Sequence, residues 1–230
     1  RQRGRGQAPG AAPGRAPDAL RRAGARVGPR RGWNGASAGR PPGRSPGDLR
    51  QGYSWAHAAM SQDDHPPALS QLLAGIGRAL DSASDDSSRC STIKSALEAA
   101  CRQGVPLLPE RCLQAMPGQY ARHLVHKDAR GRFSVVAMVW GPGQGTPLHD
   151  HAGTWCVECV YRGRIEVSSF SRRANRCSSS GVFDFAEESR TSAVSGAAGA
   201  LIPPFEYHVI RNPGSDPAAT IHVYGGEILR

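Results

Sequence analysis

Leu69, Leu72, Leu73, Ile76 and Leu80 recur three and four residues apart, the interval that lines up one apolar helix face, so an amphipathic helix is expected over 68–82. A polar break at 81–88 follows. Ile93, Leu97, Ala100 and Cys101 repeat the spacing and predict a second helix over 91–103, capped by Ser91 or a neighbour and ended by Gly104. A short turn covers 107–113. After Pro117 the character becomes β. Residues 133–140, Phe-Ser-Val-Val-Ala-Met-Val-Trp, read as a strand, and Gly141-Pro142-Gly143-Gln144-Gly145 reads as a turn. Further strands are expected over 154–161, 165–170, 191–195, 199–202, 207–211 and 219–224. The turn Arg162-Gly163-Arg164 and a polar loop at 171–180 separate some of them. Short strands at this spacing, behind a helical lead-in, predict a mainly β domain, a sandwich or small barrel.

The first fifty residues break this pattern. They are rich in Arg, Gly, Pro and Ala, with few large apolar residues apart from Leu20, Val27, Trp33 and Leu49. Such a segment buries too little apolar area to offset chain entropy and is expected to be a disordered head over 1–60, with 52–66 as linker. The chain has a formal net charge of +10, and the head holds 12 Arg against 2 Asp, which accounts for all of it. The remaining chain is balanced, so the high pI says nothing about its partners. Nucleic acid is not expected as a partner except through the Arg-rich head, where stacking aromatics are scarce. No apolar run reaches the length of a membrane span, and no apolar segment follows the basic head as in a secretory signal. The six cysteines, 90, 101, 112, 156, 159 and 177, show neither zinc-finger pairing nor a dense disulfide framework. They read as reduced thiols of a cytoplasmic protein.

Candidate chemistry lies in Pro147-Leu148-His149-Asp150-His151 and Tyr207-His208. On an extended strand residues i and i+2 face the same way, so both imidazoles of the first motif can reach one ion, and a strand-borne His208 can complete a facial trio. Residues 152–156 after the second histidine hold no carboxylate, which leaves neutral imidazoles as the expected ligands and the ion's positive charge uncompensated. Such a centre favours an anionic thiolate. Glu158 shares a face with Cys156 on a regular strand and could in principle donate a carboxylate. His123 and His126 show no comparable pattern.

Gly143 with five residues to His149, then His151 and Gly163, has the spacing of a first cupin motif. Together with Tyr120-Ala121-Arg122-His123-Leu124-Val125, Trp140-Gly141-Pro142-Gly143, His149-Asp150-His151 with Cys156, His208, and Thr220-Ile221-His222-Val223-Tyr224, the chain resembles the cysteine dioxygenase (thiol dioxygenase) family. The matching pieces run in family order from about 66 to 226. The resemblance implies a cupin-type small β-barrel or jelly roll, preceded by two or three short α-helices, over 66–230. The family usually continues beyond the point where this chain stops, so a C-terminally shortened domain is expected. It also implies Fe(II) on His149, His151 and His208, and oxidation of a small thiol by O2 to a sulfinic acid; the family pattern puts no carboxylate ligand at Glu158. Arg122 would clamp the substrate carboxylate through its two parallel donors. His222 and Tyr224 would be the outer-sphere pair, and Cys156 stands where some members carry a cysteine crosslinked to that tyrosine. Thr220 stands where the family often has Ser. Thr220, His222 and Tyr224 share one strand face and can form a hydrogen-bonded row.

L-Cysteine is the expected substrate, with 3-mercaptopropionate as the alternative, acted on by a monomer with no further partners. A non-catalytic metal-binding cupin is the rival of a different class.

Overall fold

The computed structural model describes residues 60–173, 183–204 and 206–227. The head (1–59), most of the expected loop at 171–180, Cys177 and the last three residues lie outside the described residues. Two α-helices, α1 (Pro67–Ser82) and α2 (Asp86–Arg102), precede eight strands: β1 (Ala121–Lys127), β2 (Phe133–Trp140), β3 (Cys156–Arg162), β4 (Arg164–Arg172), β5 (Phe185–Val194), β6 (Ala198–Leu201), β7 (Tyr207–Arg211) and β8 (Ala218–Gly225). They form a five-stranded sheet, order β1-β2-β8-β3-β6, and a three-stranded sheet, order β5-β4-β7. Every pairing is antiparallel. The expected mainly β architecture behind a helical lead-in is the one observed.

Strand alternation divides the larger sheet into two faces. Val135 and Ala137 of β2, Val157 and Cys159 of β3, and Ile221 and Val223 of β8 pack in one cluster with Leu69, Ile76, Ile93 and Leu97 of the helices. Val136, Met138, Trp140, Cys156, Val160 and Tyr224 point the other way and meet Ile165 of β4 and Ile210 of β7. β2 is therefore buried at all eight positions, which is why its sequence is apolar throughout rather than alternating. Each fully buried Leu or Ile of this core contributes about 1.5–3 kcal/mol. Cys159 Sγ lies 3.4 Å from Cys101 Sγ, tying β3 to α2.

Three boundaries differ from the sequence pattern. α2 starts at Asp86, not 91: the Asp85 carboxylate accepts from the Ser88 amide at 2.9 Å and caps the helix. Its first turn is polar and faces solvent, so apolar spacing cannot reveal it. β5 begins at Phe185, well before 191, because an exposed edge strand carries no apolar alternation. The end of the expected linker is folded: the Met60 amide donates to Leu124 O at 3.0 Å, and His65 Nε2 lies 3.0 Å from Val125 O.

The β1–β2 hairpin is held by one carboxylate. Asp128 accepts from the Arg130 and Arg132 amides and from Arg132 Nε and Nη2, the last at 2.8 Å. Arg132 Nη1 reaches Asp81 at the end of α1, also at 2.8 Å. The Arg132 side chain holds the Asp128 carboxyl well below the usual carboxylate range. A depressed carboxylate stabilises the fold above its unfolded pKa, about 3.9, and this contribution is lost as pH falls toward the folded value. Asp128→Ala is expected to lower stability by about 2 kcal/mol at pH 7 and by clearly less at pH 3. Urea unfolding at both pH values reads the difference, and an equal loss at each would contradict it.

Candidate metal centre

The two histidine motifs meet because backbone pairing stitches the segment after β2 to β7. The Thr146 amide donates to Ile210 O at 2.9 Å, and His149 and His208 exchange both backbone hydrogen bonds, at 3.2 and 3.0 Å. Gly145 pairs with Arg211 in the same ladder. A Cβ at Gly145 would stand 2.5 Å from Ile210 O, so only glycine allows this approach. His149 and His151 are thus carried by a loop anchored to β7, not by the strand that their spacing suggested. Ala152 (φ 52°) and Gly153 (φ 81°) then turn the chain into β3.

The imidazoles nevertheless converge. Ring centroids are 4.3 Å apart for His149 and His208, 5.0 Å for His151 and His208, and 5.6 Å for His149 and His151. One ligand nitrogen from each lies within 4.8 Å of the others, and the trio can hold a metal ion. The outer nitrogens are fixed by the chain: His149 Nδ1 contacts Pro147 O at 3.1 Å and His208 Nδ1 contacts Glu206 O at 2.9 Å. As each carbonyl only accepts, both Nδ1 atoms carry the proton and both Nε2 atoms are left for an ion. His208 Nε2 and both ring nitrogens of His151 are buried without a hydrogen-bond partner. Orphaned donors or acceptors of this kind are costly, and a bound ion would satisfy them. The residues present fit the metal. Burial lowers the pKa of His149, and that of His151 to about 4, favouring the neutral ligand form.

His149 and His151 line a cleft of about 440 Å³ together with Tyr120, Arg122, Met138 and Tyr224, while His208 is fully buried. Arg122 lies on β1 and is buried, at 8 % exposure. Cys156 and Tyr224 are direct cross-strand partners on β3 and β8, as are Glu158 and His222. Burial raises both the Cys156 thiol and the Tyr224 phenol well above their usual values. A hydrogen bond with Tyr224 opposes the shift at Cys156, and the nearby Arg122 charge opposes it at Tyr224. Tyr224 therefore stays a hydrogen-bond donor at neutral pH.

The row expected on β8 is only partly formed. Trp140 Nε1 donates to Thr220 Oγ1 at 3.0 Å, and Thr220 Oγ1 lies 2.7 Å from His222 Nε2. His222 Nδ1 then contacts Glu158 Oε1 at 3.1 Å rather than Tyr224. The carboxylate only accepts, so His222 carries its proton on Nδ1. The His222 and Tyr224 rings lie nearly parallel, with centroids 6.0 Å apart.

Glu158 corrects the expected charge balance. Its side chain is 11 % exposed, and Oε1 lies 3.5 Å from His208 Nε2 and 3.9 Å from His151 Nε2. An acidic group thus stands among the imidazoles. Burial would raise its carboxyl, but His222 and His208 hold it well below the usual range. In return, burial would lower His208, while contact with Glu158 raises it. An ion would take the place of the proton at that nitrogen. The signal was present in sequence as the shared face of Cys156 and Glu158. Of the other histidines, His123 is buried and His126 packs between His65 and Phe133 at the end of β1, away from the trio.

Residues 113–226 match the family model described as cysteine dioxygenase type I. Cysteine dioxygenase type 1 of Danio rerio is 31% identical over 52 residues, 23% of this chain and 25% of that protein. The Rattus norvegicus protein of the same description is 22% identical over 107 residues, 46% of this chain and 50% of that protein. The chain thus spans half or less of the length of these curated relatives. Among solved structures, a protein of Thermus thermophilus shares 20% identity over 51% of this chain and 92% of its own, with a TM-score of 0.39. A cupin superfamily protein of Desulfitobacterium hafniense shares 12% over 54% and 94%, with a TM-score of 0.38. Among the described residues, no helix is long and apolar enough to cross a membrane.

Proposed function

Since this chain belongs to the cysteine dioxygenase family of the cupin superfamily, we propose that it oxidises a small carboxylated thiol to its sulfinic acid with O2. The observation that carries the reading is the convergence of His149, His151 and His208 at the edge of a cleft that also holds a buried arginine and a protonated phenol. These three histidines would hold Fe(II). When bound, the ion supplies a place where thiolate and dioxygen meet side by side, which removes an encounter cost on the way to the sulfinate.

The remaining chemistry belongs to the chain. Arg122, on the cleft wall, receives the substrate carboxylate through its guanidinium fork and sets which end of the thiol faces the histidines. Tyr224 donates a hydrogen bond into the cleft as negative charge develops on oxygen. His222 is locked between Thr220 and Glu158 and packs parallel to Tyr224, which limits the orientations open to the phenol ring. L-Cysteine is the favoured substrate because Arg122 matches the carboxylate clamp of the cysteine-specific relatives, with 3-mercaptopropionate next.

The test is oxygen uptake and sulfinate formation by iron-loaded protein offered L-cysteine, 3-mercaptopropionate and cysteamine. Uptake with a carboxylated thiol, coupled to its sulfinate, is expected. Metal binding without uptake on any small thiol would instead leave a metal-binding cupin that does not turn over.

A further inference from the structure

We infer that Cys101 and Cys159 are a redox-modification site, where hydrogen peroxide joins the two thiols in a reversible disulfide that clamps the end of α2 to β3. Neither thiol belongs to the candidate metal centre, and the inference is independent of the reaction proposed above.

Three observations carry it. First, the two thiols already touch: the Cys159 S–H donates to Cys101 Sγ at 3.4 Å. A disulfide is about 2.0 Å long, so closure requires the sulfurs to approach by about 1.4 Å. Second, the last turn of α2 is anchored over this spot. Cys159 pairs across the sheet with Ala198 of β6, and the Ala198 amide donates to Glu98, one helical turn before Cys101. The Arg102 stem packs on Gly196, where a Cβ would stand 2.9 Å from Arg102 Cγ. Third, the two thiols differ as an attacking and a resolving thiol do. Cys101 is half-buried beside the exposed stretch 102–106, whereas Cys159 is buried at 1 % exposure. The hydrogen bond from Cys159, helped by the Arg102 charge, lowers the Cys101 pKa against the effect of burial. The same hydrogen bond, with burial, raises Cys159. Thiolate character, access and an adjacent second thiol are the combination that peroxide attacks selectively. Cys90, Cys112 and Cys156 are buried instead, and burial raises all three.

The chemistry closes in two steps. The Cys101 thiolate attacks one peroxide oxygen, the O–O bond breaks, and Cys101 becomes a sulfenic acid while the other oxygen leaves as hydroxide and is protonated to water. The Cys159 sulfur then attacks the Cys101 sulfur, the S–O bond breaks, and the hydroxyl departs with the Cys159 proton as a second water. The two thiols lose two electrons and the peroxide gains them. A small thiol in excess reverses the link by exchange and is itself oxidised to a disulfide. The link spans 58 residues of sequence and restricts the unfolded chain accordingly.

The test treats the full chain, reduced and stripped of metal, with a small excess of hydrogen peroxide, blocks remaining thiols with N-ethylmaleimide and cleaves after glutamate. Cuts after Glu98, Glu110, Glu158 and Glu166 put Cys101 and Cys159 on the separate peptides 99–110 and 159–166 and part Cys159 from Cys156. Mass spectrometry should find these two peptides joined, about 2 Da below their summed mass since two thiol hydrogens are lost, as the main oxidised product. Dithiothreitol should release them. The oxidised chain should unfold about 10 °C higher than the reduced one. Cys159→Ala should stop at a sulfenic acid on Cys101 that dimedone traps, and Cys101→Ala should give neither adduct nor link. The wild-type peptide map decides the matter even where a variant fails to fold. Both peptides recovered with maleimide on each thiol, or Cys101 joined to any other cysteine, would overturn the inference. A link that forms only in denaturant, or that leaves the unfolding midpoint where it was, would overturn it as well.

Discussion

His208→Ala is expected to abolish turnover and to weaken metal binding by more than about 100-fold, beyond the loss given by changes outside the ligand set. His208 is fully buried on β7, its Nδ1 is committed to the Glu206 carbonyl, and its Nε2 is aimed at the other two imidazoles. His222, the other buried imidazole of the site, is already held by Thr220 and Glu158 and does not replace it. The paired backbone of His149 and His208 does not depend on the imidazole, so the loop should keep its place when the ring is removed. Metal content by elemental analysis, beside the unfolding midpoint of the metal-free protein, separates loss of a ligand from loss of the fold. A variant that unfolds like the wild type and still carries a full complement of metal would remove His208 from the ligand set.

Arg122→Ala should lower kcat/KM for a carboxylated thiol by about 100-fold, mainly through KM, and change cysteamine turnover little. Truncating one member of a buried, hydrogen-bonded charge pair costs about 2–5 kcal/mol, and a tenfold effect corresponds to about 1.4 kcal/mol. Arg122 is buried on β1 and lines the cleft. Cysteamine has no carboxylate and serves as the internal control: it reports any general damage to the β1 wall, where the arginine stem also packs. Equal losses with both substrates would mean that Arg122 shapes the wall and does not bind the carboxylate.

Much of this architecture was legible in the chain, for identifiable reasons. β2 announces itself because both of its faces are covered, and α1 because it has one apolar face over four turns. The turn at Gly163 (φ 81°), where the chain passes from β3 in one sheet to β4 in the other, is marked by the one residue type that takes this conformation at little cost. The histidine trio could be located, but not the way it is built. Spacing in His149-Asp150-His151 suggested a strand, whereas the residues sit on a loop whose shape is dictated by pairing with β7, about sixty residues on. That pairing depends on Gly145, which in sequence reads as one more turn glycine. The start of α2 and the first half of β5 were hidden because both are polar and solvent-facing, so neither leaves a hydrophobic imprint.

Glu158 is the instructive case. The stretch directly after His151 holds no carboxylate, and on linear spacing the centre reads as neutral. The acidic group arrives two residues after Cys156, from strand alternation and from the partner strand that carries His222. Proximity in the fold, rather than in the motif, sets the charge of this centre. The thiols show the same limit: Cys101 and Cys159 read as separate reduced thiols, and only the packing of α2 on β3 brings them within 3.4 Å.

The most direct test of the whole account is the iron stoichiometry of the full chain under anaerobic titration with Fe(II), compared with the oxygen consumed when a carboxylated thiol is then added in air. One iron bound per chain is expected, with oxygen uptake rising in proportion to the iron loaded and one sulfinate formed per O2. Uptake that is independent of iron loading, or a chain that takes up no iron while folded, would contradict it.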